Sequence, residues 1–132
     1  MNDRPTAAEL IEAVRRHLEA EVLPALADAR LKFQTLVAAN VLAIAGRELA
    51  VEDAMLREEW AALVGTEAPP ERRDDLRRAV YEANVALCGC IRAGAFDEPN
   101  AFRDLAQRLR RLVENKLSVA NPRHLEAARR LG

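Results

Sequence analysis

The apolar residues of this chain recur at spacings of three and four along almost its whole length, and nowhere do they alternate. An amphipathic helix needs a period near 3.6 and a half-buried strand a period of two, so the pattern predicts an all-α chain. Its 132 residues fit a single-domain helical bundle of five to six helices covering 1–132. Half of the residues are hydrophobic but only 4% are aromatic, so the core must come from Leu, Val, Ile and Ala.

Thr6 and Glu9 form a capping box for a first helix whose stripe is Leu10, Val14, Leu18 and Val22. Pro24 ends or kinks it, because the ring removes a donor and crowds the preceding turn. A second helix starts near Asp28, with Phe33, Leu36, Val37, Val41 and Ile44 as its expected inner stripe. It either fades around Leu49 or runs on into a helix carrying Met55, Leu56, Trp60 and Leu63, and the pattern leaves both open. Gly65 and the Pro69-Pro70 pair then break the chain. A helix over 72–92 follows, with Leu76, Val80, Ala83, Leu87 and Ile91 inward and Gly94 beyond its end. Pro99 opens the next, whose stripe is Phe102, Leu105, Leu109, Leu112, Val113 and Leu117. Asn121 and Pro122 read as a cap and first position of a short helix to Arg130.

Most catalytic chemistries lack their parts. Cys88-Gly-Cys90 places two sulfurs on diverging sides of a helix, and no second cysteine pair exists to complete a zinc site. Small residues at a close helix contact, with reduced thiols, is the favoured reading. Neither His17 nor His124 has a Glu three residues before it, so the paired signature of di-iron bundles is missing. His17 falls near the apolar face and reads as a hydrogen-bonded, partly buried imidazole. Ser118 is the only serine and lies in no nucleophile elbow, and no Gly-rich loop follows a strand. No catalytic residue, metal or cofactor is expected.

A formal net charge of −1 gives no global pull toward nucleic acid. The basic segment "RDLAQRLRRLVENK" lacks aromatic interleaving and reads as a solvated helix face, with docking on an acidic partner or anionic ligand as the alternative. The longest apolar run falls short of the ~20 residues of a membrane span. The N-terminal residues lack the basic and apolar regions of a secretory signal, so a soluble, cytoplasmic protein is expected.

What remains is a set of polar residues on stripes expected to face inward. Asn40 sits in the middle of "LVAANVLAIAG", the most apolar run, and Arg47 and Glu48 continue its helix. Asn84 lies between Val80 and Leu87, Lys116 follows Leu112 and Val113, and Asn121 closes the next turn. Buried polar groups need partners. These six are therefore either register-fixing hydrogen bonds or the lining of a pocket for an anionic small molecule. Asn40 is expected to be shielded and bonded to Asn84, to Lys116 or to the 115–121 segment. On that reading Asn40→Ala destabilises the fold by ~1–3 kcal/mol. Ala38, Ala39, Ala43 and Ala45 leave a smooth flank suited to a homodimer contact.

The strings "DRPTAAELIEAVRRHLEAEVLPAL", "VAANVLAIAGREL" and "NKLSVANPRH" carry a resemblance to a family of small bacterial helical proteins of unknown function. Members of that family resemble accessory products encoded beside aminoglycoside-phosphotransferase-like kinases and acyl-CoA dehydrogenases. The resemblance implies a partner context and supplies no catalytic residues. It favours a non-catalytic accessory protein working with a phosphotransferase-like enzyme or an acyl-CoA dehydrogenase, with the anion-binding protein as the alternative.

Overall fold

A computed structural model describes residues 4–131, and it is all-α: no strand occurs among the described residues. No helix among them is long and apolar enough to cross a membrane. The chain divides into two compact units, Met1–Val51 and Glu52–Gly132.

In the first unit, α1 (Ala7–His17) begins with the expected capping box. The Thr6 N–H donates to Glu9 Oε2 at 2.7 Å and the Glu9 N–H to Thr6 Oγ1 at 3.2 Å. The chain then widens into a π-helical turn, Leu18–Val22, and closes with α2 (Leu23–Ala25). Pro24 gives the reason: it has no N–H for the i−4 carbonyl, and its ring pushes that carbonyl away. Asp28 caps α3 (Ala29–Val64), accepting the Leu31 N–H at 3.0 Å. That helix is continuous for 36 residues, so the pattern around Leu49 runs on rather than fading.

The expected inner stripe of α3 is turned outward. Phe33, Leu36, Val37 and Val41 are exposed, as are Leu10 and Val14 of α1, while Ile44 is half-buried. The contact with α1 is made instead by the flank of small residues. Among the described residues of this unit Ala39 is the buried one, 2% exposed, and a Cβ built on Gly46 would stand 3.6 Å from Ile11 Cγ2. Small side chains let two helices approach closely and gain dispersion contacts along their backbones, a preference that hydrophobicity alone does not register. The alanine flank expected to meet a second copy is therefore occupied, in its Ala39 part, within the chain.

The second unit keeps more of its predicted faces. Its core is Leu76 and Val80 of α4 (Arg73–Arg92), Leu105 and Leu112 of α5 (Pro99–Ala120) and Leu125 of α6 (Pro122–Leu131). Leu76 is fully buried, and removing a side chain so enclosed costs about 2–5 kcal/mol. Ile91, Phe102 and Val113, also expected inside, are exposed. Ile91 and Phe102 lie near helix ends, and Val113 lines an open groove with Leu125 and Ala128 of α6. Gly65 (φ 88°) and Gly94 (φ 80°) stop α3 and α4 in the left-handed region that glycine alone enters easily.

Candidate functional site

The polar side chains of the second unit converge on three glutamates of α3. Glu52 and Glu59 stand seven residues apart on one face, and Arg77 and Asn84 of α4 are spaced likewise. Arg77 forks onto Glu52, Nε to Oε1 at 2.6 Å and Nη2 to Oε2 at 2.7 Å, and also holds Asp74 at 2.9 Å. That double bond to Glu52 raises the Arg77 pKa above its ordinary value. Asn84 Nδ2 donates to Glu59 Oε1 at 2.9 Å and to the Val80 carbonyl at 3.0 Å. Both cross-helix pairs share one sequence offset, 25 residues, so α4 runs in the same direction as this part of α3. Residues 65–72 must therefore travel back along α3 by ~20 Å, within the reach of eight extended residues. The Trp60 indole N–H fastens that segment, donating to the Glu67 carbonyl at 2.9 Å.

α5 completes the cluster from the other side. Arg111 Nε and Asn115 Nδ2 each donate to one oxygen of Glu58, at 2.7 and 2.9 Å. Lys116 Nζ reaches Glu59 Oε1 at 3.1 Å. Glu59 is 8% exposed and is the buried charged residue among the described residues. Its Oε1 thus receives an amide and an ammonium, leaving that oxygen no lone pair for a substrate proton. Among the described residues, no buried side-chain nitrogen or oxygen lacks a hydrogen bond, and no group of three His, Cys, Asp or Glu could hold a metal.

Two of the six predicted site residues, Asn84 and Lys116, are brought together, and on a carboxylate that the sequence reading did not single out. Glu59 has Met55 and Leu56 one turn before it and Leu63 one turn after, the same apolar framing that drew notice to Asn40. Asn121 stands apart as a cap: its Oδ1 accepts the His124 N–H at 3.1 Å at the start of α6. Asn40, Arg47 and Glu48 belong to the first unit. Asn40 is exposed, contrary to the expected burial, because the flank with Ala43 and Gly46, and not the Asn40 face, is turned to α1. Asn84 and Lys116, its expected partners, are bonded to Glu59. Glu48 is exposed and Arg47 half-buried.

Two further expectations are corrected. The His17 side chain is 59% exposed, 3.7 Å from Glu21, on the solvent side of α1. Cys88 and Cys90 are free and exposed, and a Cβ on Gly89 would meet nothing within 4 Å, so no helix packs against them. The arginines of the basic α5 segment are exposed, as expected of a solvated face, and Arg111 also ties Glu58.

The first unit contains an open groove of about 500 Å³ between α1 and α3, lined by Ile11, Glu12, Arg15, Leu42, Gly46 and Arg47 among others. Arg15 is held there by Glu12 at 2.9 and 2.7 Å and by Glu19 at 2.7 Å. The bond from Arg15 keeps the Glu12 carboxyl below its ordinary pKa.

A family model described as a domain of unknown function, DUF6285, matches residues 24–124. No curated protein and no solved structure matches.

Proposed function

The chain belongs to this family, and we propose that it is a non-catalytic accessory protein that docks on a partner enzyme, a phosphotransferase-like protein or an acyl-CoA dehydrogenase. The reading rests on one observation: polar groups that could do chemistry are spent on one another, while large apolar groups are held outside. Tyr81 of α4 is 70% exposed, and Val85 and Cys88 follow it on the same outer face. An exposed tyrosine beside apolar side chains is a frequent anchor of protein interfaces, since its ring buries a large area with little entropy loss. The family likeness carried by "VAANVLAIAGREL" and "NKLSVANPRH" supports the choice of partner. Affinity purification at native expression levels tests it. Recovery of such an enzyme with the parent chain, and its loss with Tyr81→Ser and Val85→Asp at unchanged far-UV circular dichroism, is the expected result. Recovery of no such enzyme overturns the proposal.

A second reading, binding of an anionic small molecule, is favoured by the presence of Arg47 in the 500 Å³ groove. Calorimetric titration with an acyl-CoA and with inorganic phosphate tests it. The expected sign is heat of binding that Arg47→Ala removes, and no heat from either probe rejects it.

A further inference from the structure

The outward stripe of α3 has the spacing of a helix-pairing seam. Phe33, Val37, Asn40 and Ile44 follow one another at intervals of four, three and four, and at about 100° per residue they lie within an arc of roughly 60°. Phe33 is 68% exposed and Val37 46%, with Leu36 at 51% and Val41 at 55% on the flanks, so this seam is bare within the chain up to Ile44, which is half-buried. A continuous apolar face of three turns marks an interaction surface, whereas scattered exposed hydrophobics do not. Its third residue is Asn40, exposed and flanked by apolar side chains one turn before and after.

We infer that the α3 seam is covered by the same seam of a second copy of this chain, the two helices running antiparallel about a two-fold axis at Asn40. The side chain itself selects the occupant. An amide carries both donor and acceptor, so across a two-fold axis each Asn40 donates to the carbonyl of its mate and is satisfied by it. A lone asparagine in an apolar seam fixes register and oligomeric state because every slipped alignment strands it against hydrocarbon. The charges select the direction. Arg30 and Lys32 are exposed at the N-terminal end of the seam and Glu48 at the other, with Lys32 and Glu48 eight residues either side of Asn40. Antiparallel pairing brings the basic end of each helix alongside the acidic residue of its mate, whereas parallel pairing sets like against like. Arg47, half-buried and engaged within its own chain, falls opposite Phe33 of the mate, each seven residues from Asn40. The surface is separate from the outer face of α4, so the dimer and the proposed enzyme contact stand or fall independently.

Sedimentation velocity of the full chain from about 1 to 100 µM, the range in which modest helix interfaces associate, tests the inference. A reversible dimer is expected, weakened about tenfold or more by Asn40→Asp, which sets two carboxylates face to face. Unchanged far-UV circular dichroism of that variant shows that the fold is intact. In a Cys88→Ser, Cys90→Ser background, Asn40→Cys is expected to give a disulfide-linked dimer under mild oxidation, and Ala38→Cys, exposed but off the seam, is not. A monomer throughout the concentration range overturns the inference. So does a dimer that is indifferent to Asn40→Asp and does not link through position 40.

Discussion

Asn84 and Lys116, from different helices, donate to the same atom, Glu59 Oε1, at 2.9 and 3.1 Å. Their contributions are unequal. Asn84 meets a carboxylate that is nearly buried, where a charge-assisted hydrogen bond is worth more than one in water. The Lys116 side chain is 64% exposed, and water screens its attraction. Glu59→Ala is accordingly expected to destabilise the second unit by about 2–3 kcal/mol, and Lys116→Met by less than about 1 kcal/mol. Urea denaturation of the two variants checks the order, and equal losses would contradict it.

Asn40 makes the opposite case. Exposed in the chain, it leaves no partner stranded when truncated, and alanine is the better helix former. Asn40→Ala should therefore change the stability of the monomeric chain by no more than ~0.5 kcal/mol. Denaturation at nanomolar protein concentration, where association is absent, measures this directly.

Gly46 faces α1, and a methyl group there would stand at ordinary contact distance from Ile11. Gly46→Ala fills that space and removes the helix penalty of glycine, so it should stabilise the first unit by about 0.5–1 kcal/mol. Thermal denaturation followed at 222 nm checks the direction, and a lowered midpoint would contradict it.

Acid is expected to loosen the end of α1. The Arg15 bond depresses the Glu12 pKa in the folded chain, so the carboxylate stabilises the fold at neutral pH. That contribution is present above the ordinary carboxyl value and is lost as pH falls through the lower folded value. A carbon-detected NMR titration should show Glu12 remaining ionised below the ordinary carboxyl range. Glu12→Gln should flatten this part of the acid dependence.

The helices themselves were legible in the sequence because their signals are local: Thr6 with Glu9, Pro24, Gly65, Gly94, Pro99 and Asn121 each act on the turn they occupy. The faces of the second unit were largely legible too, since Leu76, Val80, Leu105 and Leu112 are both the most apolar and the most buried. The first unit was not. There α3 packs through Ala39 and Gly46, and a reading weighted by side-chain size assigns the inside to Phe33 and Val37. The site was half legible for a related reason. Asn84 and Lys116 were found as polar interruptions of apolar stripes, but Glu59, an equal interruption of the Met55–Leu63 stripe, was passed over. Charged residues on a helix are ordinarily solvated, and only the tertiary arrangement brings two donors to this one.

Trp60 and Tyr81 are the only tryptophan and tyrosine of the chain, and both lie in residues 52–132. The indole, pinned by its N–H to the Glu67 carbonyl, sits beside Glu59 and reports on the turn that returns the chain to α4. Intrinsic fluorescence is consequently a one-sided witness: it sees the melting of the Glu59 cluster and is blind to α1 and the Ala39 contact. Far-UV circular dichroism counts helix in both units alike. Overlaying the two signals along one denaturation curve therefore separates the halves without any label, and a dichroic loss that precedes the emission change identifies 1–51 as the part that lets go first.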